Sequence, residues 1–409
     1  MIENRGNSTV LVFPEKLDTT NSKEYMARFF KELEGVPEDM PVICDLDNTT
    51  YISSSGLRLA LLLERKHKNI KFINADPAVY EIFEETGITN ILSVKRKPRK
   101  IDPITGEPLA RGSNGEIYVI EDDIIVKMFS PNTTREEIVE EWKNAQTALA
   151  LGVPSVICYQ MLTDGERLGI MFERMKTASF ATVVYSDYEH FDRYAVRFAG
   201  LLKELHGIHD KKHDFHSVKT AFSELIFKAD YLSEDEKAKM TAFLDAVPDS
   251  DCVIHGDFHP KNIGENMGLL ILLDLAEIGY GHPLFDFMAS YYDLILSGQT
   301  VGVEHPEITK QFFGLSVEEL AKLWDILLGN YFPGISEEKK RYFNETINMI
   351  LGFKLMLFPV LHPNHTKEKH NAWIELGRER FLDHYEELMQ RVDVIHEMIE
   401  QSFQGGRGR

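Results

Sequence analysis

Between residues 251 and 277 the chain reads DCVIHGDFHPKNIGENMGLLILLDLAE, and three of its side chains are spaced for phosphoryl transfer. Asp257 stands in a tight loop opened by His255 and Gly256, where a carboxylate can accept the proton of an attacking hydroxyl. Asn262, five residues on, offers a neutral oxygen to a divalent cation, and Asp274, reached after the strand-like run Leu269 to Leu273, offers an anionic one. A base and two hard oxygen ligands are what a magnesium nucleotide reaction needs. A lone HGD would read as a polar turn. The Asn and Asp that follow, with an apolar strand between them, favour a site.

Other residues must hold the nucleotide. Gly112, Ser113, Asn114 and Gly115 form a glycine-spaced turn running into a strand, and such a turn can close its amides over phosphates. In the next strand Lys127 lies among Ile125, Val126, Met128 and Phe129, where an ammonium needs a counter-ion. The helix Thr134 to Leu151 supplies Glu136, Glu137, Glu140 and Glu141. Spacing to Gly152-Val153-Pro154 selects Glu141, with Glu137 as the alternative, leaving Lys127 for the α- and β-phosphates of ATP. Leu168 to Met175 reads as a buried strand ending in a polar step, whose backbone at Glu173 to Met175 would hold the adenine edge. Asp286, opening an apolar helix, can accept backbone N–H bonds and brace the catalytic loop, as His255 does from within it. His206 reads as a packed or hydrogen-bonded core histidine. His362, His365 and His370 lack cysteine partners and helical spacing, so they read as a surface loop rather than a metal site.

Residues 109 to 300 resemble the aminoglycoside phosphotransferase and choline kinase family, through HGD-x-H-x-x-N, Asp274-x-x-Glu277 and Asp286. The resemblance implies the protein-kinase fold and transfer of the γ-phosphoryl of Mg-ATP to a hydroxyl. By it Asp257 is the base, Asn262 and Asp274 are Mg2+ ligands, Lys127 is the phosphate-binding lysine and Asp286 the structural aspartate. HGD stands where protein kinases have HRD, and the loop is poorer in glycine than theirs, which leans towards a small-molecule acceptor. The expected architecture is a two-lobed α+β kinase-like domain with a β-rich lobe over 109–175 and a helical lobe over 176–400. In this superfamily the helices beyond Pro306 line the acceptor pocket. A tail, 401–409, ends in Gly-Gly-Arg-Gly-Arg and reads as disordered.

Residues 1–95 alternate strand and helix patterns, an α/β arrangement with a covered sheet. They resemble the STAS family, the anti-sigma-factor antagonists, through Leu17-Asp18, the strand ending at Asp45, the Ser-Ser-Gly-Leu turn at Ser54 to Leu57, and Glu85-Thr86-Gly87-Ile88. In that family the first serine of the turn is phosphorylated, and Ser54 holds its place. Ser53 stands where the family usually has Asp, so Ser54 is read as either a helix cap or a phosphosite. Residues 96–108, basic and then rich in turn formers, read as a linker.

The formal net charge of -20 argues against a nucleic-acid partner, because a phosphate backbone would be repelled. No apolar run approaches a membrane span; Ile347 to Leu361 is broken by Asn348, Lys354 and Pro359 and reads as a buried helix. The start of the chain lacks the basic and apolar regions of a secretory signal, and Cys44, Cys158 and Cys252 read as reduced core residues. A cytoplasmic enzyme is expected. Three functions remain in view: a small-molecule kinase with a STAS module that regulates or docks it to a protein partner, a signalling protein that phosphorylates a protein serine such as Ser54, and a nucleotide-binding pseudoenzyme scaffold.

Overall fold

A computed structural model of the chain describes residues 9–37, 40–112, 114–174, 179–296 and 306–404. The molecule divides into two compact units. The first comprises 1–118, 126–133 and 159–171; the second comprises 119–125, 134–158 and 172–409.

The first unit begins with four parallel strands, Thr9–Val12, Val42–Asp45, Ile70–Ala75 and Val94–Arg96, side by side in chain order. Three helices, Ser22–Glu32, Ser54–Lys66 and Pro77–Glu85, fill the successive crossovers that parallel pairing demands. Phe13, Phe29, Cys44, Leu63, Phe72 and Phe83 form the core, all within 1% of full burial. Along the two central strands burial alternates: Val42, Cys44, Ile70 and Phe72 are buried, whereas Ile43 and Ile73 are half-buried and Lys71 is exposed. One face is therefore packed and the other only partly covered, short of the covered sheet expected from the pattern. Gly87 ends the third helix with φ of 70°, as its position past the last turn predicted.

The serine turn differs from expectation in one residue. Ser53, not Ser54, is the cap: its backbone is extended (φ -95°, ψ 174°) and its hydroxyl accepts the Ser55 N–H at 3.2 Å. A cap must precede the first helical residue, and Ser54 is that residue, exposed to solvent.

Most of a six-stranded sheet also belongs to this unit. Its order is Arg99–Lys100, Cys158–Thr163, Leu168–Glu173, Ile124–Phe129, Gly115–Glu121, Ala110–Arg111. The expected linker thus contributes an edge strand, Arg99 and Lys100 pairing in parallel with Leu162 and Thr163. Two charged, exposed residues suit an edge and carry no periodicity, so the sequence pattern could not reveal them.

The second unit is mainly helical. Phe191–His206 packs against Val317–Tyr331, and the long helix Glu337–Leu361 packs against Leu284–Tyr291 and Lys367–Gly377. The apolar run from Ile347 is the buried part of that long helix, as expected. Among the described residues no helix is long and apolar enough to cross a membrane. The last helix, Tyr385–Gln404, runs into the segment expected to be a disordered tail. Ser402 is buried there and donates to the Ile399 carbonyl at 2.7 Å. Residues 405–409 lie outside the described residues.

Because Ser53 alone satisfies a helix N–H, Ser53→Ala should cost about 1 kcal/mol and Ser54→Ala close to nothing. Urea unfolding of the two variants of the full chain, read against wild type, checks this difference.

Candidate active site

The catalytic stretch lies wholly in the second unit, between two short ladders. Val253–Ile254 pairs antiparallel with Gly279–Tyr280, and Ile263–Asn266 pairs antiparallel with Leu269–Leu272. The loop from His255 to Asn262 joins them and ends in a 3-10 turn, Pro260–Asn262. Gly256 has φ of 82°, and a Cβ there would stand 2.7 Å from the Glu277 carbonyl oxygen. Only glycine permits this turn and this approach.

Asp286 is the brace. Fully buried, it accepts the N–H of His255 at 2.8 Å and of Gly256 at 2.6 Å, one on each oxygen. His206 Nε2 lies 2.9 Å from Asp286 Oδ2, and its Nδ1 lies 2.8 Å from the Tyr331 hydroxyl. Burial works against the Asp286 charge, but His206 and the backbone donors outweigh it and hold the carboxyl below its usual range. His206 is therefore the hydrogen-bonded core histidine the sequence suggested. Ser290 Oγ donates to the Phe258 carbonyl at 2.8 Å and pins the loop from the other side. The His255 ring is buried, and its Nδ1 accepts the Asp257 N–H at 3.2 Å.

Asp257 and Asn262 come together as expected. Asn262 Nδ2 donates to the Asp257 carbonyl at 3.0 Å and to its carboxylate at 2.9 Å, leaving Oδ1 as the atom for a cation. Leu273 N–H bonds the Asn262 carbonyl at 2.9 Å, and the ladder register pairs Ile263 with Leu272, so Asp274 follows directly on the residue bonded to Asn262 and is exposed. An amide oxygen and an open carboxylate fit a hard divalent cation such as Mg2+.

Residues that sequence reasoning gave no role complete this corner. His259 Nε2 stands 3.3 Å from Asp257 Oδ2, and Asp293 joins them, the ligand atoms of all three lying within 4.8 Å of one another. Burial disfavours the Asp257 charge, but His259 and then Lys354 more than reverse this and hold its carboxyl well below the carboxylate range. Burial also disfavours protonated His259, and Asp257 and Asp293 together carry its pKa upward. Asp293 moves the other way: burial and the neighbouring Asp257 and Glu277 push it up to about 7 against His259 and Lys354. The residue Glu277 touches solvent, yet burial around its carboxyl, and then the charges of Asp257 and Asp274, raise it too against Lys354. HGD-x-H exposed His259 in the sequence; nothing local exposed Asp293 or Lys354.

The nucleotide-handling candidates are placed as follows. In the first unit, Gly112 N–H donates to the Gly115 carbonyl at 2.9 Å, and Asn114 accepts the Ser130 N–H at 2.9 Å, closing the hairpin tip. A Cβ on Gly115 would sit 2.3 Å from the Met128 carbonyl oxygen, so strand packing by itself requires glycine there. Lys127 is half-buried between buried Val126 and Met128, its ammonium 5.0 Å from the Phe129 ring centre. In the second unit, Glu137 is exposed and consumed in a capping box with Thr134, whereas Glu141 is buried. Glu173 is tied to Ile157 by its N–H and its carboxylate, both at 2.9 Å, so its N–H is already taken. Ser113 and Met175 lie outside the described residues.

Residues 105–303 match the phosphotransferase enzyme family. This segment is a phosphotransferase domain. It contains the whole catalytic stretch, Lys127, Glu141 and the Asp286 brace. No curated protein matches the chain. Among solved structures, the streptomycin–ATP ternary complex of APH(2")-IIa aligns with 76% of this chain and 99% of its own at 15% identity and a TM-score of 0.45. A choline/ethanolamine kinase family protein from Mesorhizobium loti aligns over 72% and 92% at 15% identity and 0.41. A putative fructosamine-3-kinase from Haemophilus somnus aligns over 67% and 90% at 14% identity and 0.41. Likeness this low says nothing about which compound the chain acts on.

Asp293 offers a test of the electrostatics. A carboxyl raised in the folded state gives stability that is present below its unfolded pKa and lost as pH rises through the folded value, here about 7. Melting temperatures of wild type and Asp293→Asn should therefore diverge with pH, the wild type losing ground to the variant between about pH 4 and pH 7.

Proposed function

We propose that the chain is an ATP-dependent kinase that moves the γ-phosphoryl of Mg-ATP to a hydroxyl of a small molecule. The observation that carries this reading is the Asp257–Asn262 pair, interlocked at 2.9 Å on a loop clamped by Asp286, within a phosphotransferase domain. Asp257 receives the acceptor's hydroxyl and takes its proton as the oxygen–phosphorus bond forms and the bond to the ADP oxygen breaks. Its depressed pKa makes it a weak base, which suits a loose transition state in which the hydroxyl keeps its proton until late and orientation matters most. Asn262 and Asp274 hold Mg2+, whose charge offsets that of the phosphates. Of the nucleotide-handling residues, Lys127 and the glycine turn at Gly112 and Gly115 act on the phosphates, Glu141 supplies a buried carboxylate, and the backbone from Glu173 onward meets the adenine. His255 and Asp286 keep the loop in shape. The three cysteines are free and buried, in keeping with a reducing, cytoplasmic setting.

Residues up to about 95 act, on this reading, as a STAS-type module that regulates the kinase or docks it to a protein. Support comes from the four parallel strands in chain order and the serine turn opening a helix. Ser54, exposed and free of capping duty, favours a second reading in which it receives phosphate, because its place in the first helical turn tolerates added negative charge.

ADP release from Mg-ATP, screened with aminoglycosides, choline, L-homoserine and methylthioribose, tests the first reading. Asp257→Ala should lower turnover by about 10²–10⁴-fold at an unchanged melting temperature; equal turnover in wild type and variant would sink it. Intact mass after incubation with Mg-ATP separates the second. A gain of one phosphate that is absent in Ser54→Ala assigns the acceptor to the protein itself.

A further inference from the structure

Between Glu345 and the end of the long helix at Leu361, Lys354 is the one charged residue. Its helix neighbours Phe353, Leu355, Met356 and Leu357 are fully buried, so the ammonium is carried on an otherwise apolar stretch. Such a charge is costly unless something answers it. Its one hydrogen bond among the described residues is long: Nζ donates to the Gly256 carbonyl at 3.4 Å, one residue before Asp257. Asp257, Glu277 and Asp293 all feel its charge, as does the exposed His362 that caps the end of the same helix. Among the described residues, none of these carboxylates forms an ion pair with it. Lys354 thus presents donors beside the reacting carboxylate, and the protein itself occupies them with a single weak acceptor.

Resting on the phosphotransferase reading above, we propose that Lys354 touches the reactants, donating to an anionic phosphate or carboxylate oxygen next to Asp257. That oxygen belongs either to the phosphoryl group in transit, which makes Lys354 a catalytic residue, or to an acidic acceptor, which makes it a specificity residue. A cation here also lowers the repulsion that Asp257, Glu277 and Asp293 would exert on any such group.

The experiment compares wild type, Lys354→Met and Lys354→Arg in ADP release from Mg-ATP, with water as the only acceptor and then with L-homoserine or choline added. If the phosphoryl group is the partner, Lys354→Met lowers kcat for hydrolysis about tenfold or more at unchanged KM for ATP, and Lys354→Arg recovers part of it. If an acidic acceptor is the partner, hydrolysis is unchanged and KM rises for L-homoserine, which carries a carboxylate, but not for choline, which carries none. Wild-type kinetics in Lys354→Met under all three conditions overturn the proposal. So does a loss that follows a fall in melting temperature and affects ATP, L-homoserine and choline alike, since that is the signature of a structural counter-ion. Should Lys354→Met fail to fold, Lys354→Arg carries the test: displaced donors lower kcat or raise the L-homoserine KM at an unchanged melting temperature, and wild-type kinetics in it overturn the proposal. An inactive wild type instead refutes the phosphotransferase reading, which keeps the two failures apart.

Discussion

One buried carboxylate organises the catalytic half of this protein. Asp286 has no access to water, and an isolated charge in that position would be prohibitively costly. It is tolerated because two consecutive backbone N–H groups, from His255 and Gly256, and one imidazole, from His206, all point at it. The same bonds that satisfy the charge fix the turn that presents Asp257. Tyr331 extends the arrangement by orienting His206, so a helix far along the chain helps to set the geometry of a loop it does not belong to.

On the loop itself, charge is distributed by opposition. Asp257 is kept ionised by His259 and Lys354, while Asp293 and Glu277, competing for the same cations in crowded surroundings, are pushed towards protonation. A site with this many carboxyls cannot ionise all of them cheaply, and the environment decides which one carries the charge. Asn262 contributes without charge. By giving its amide hydrogens to Asp257 it adds donors to that carboxylate without adding another charge to the corner.

The amino-terminal sheet follows a different logic. Its parallel strands require helices in every crossover, and those helices pack one face into a core of phenylalanines and leucines. The other face stays partly open, with Lys71 exposed between half-buried isoleucines. Ser53 closes the second helix so economically that Ser54 beside it is left in solvent.

Local order along the chain determined much of this. HGD-x-H-x-x-N places the Asp257 carboxylate and the Asn262 amide on one loop, an apolar run marks the strand that ends two residues before Asp274, and caps, glycines and periodicity locate the Ser54–Lys66, Pro77–Glu85 and Arg135–Leu151 helices almost to the residue. Such features depend on neighbours a few positions apart, so a single sequence displays them. The edge strand at Arg99, the choice of Ser53 as cap and the run of the last helix to Gln404 depend on hydrogen-bond partners that pattern alone does not reveal. More important, His206 meets Asp286 across 80 positions and Lys354 meets the Gly256 carbonyl across 98. In the sequence Lys354 merely interrupts an apolar stretch. Only the packing of that helix against the catalytic loop gives its charge an address, because the energy of a buried ion is decided by what the fold places beside it.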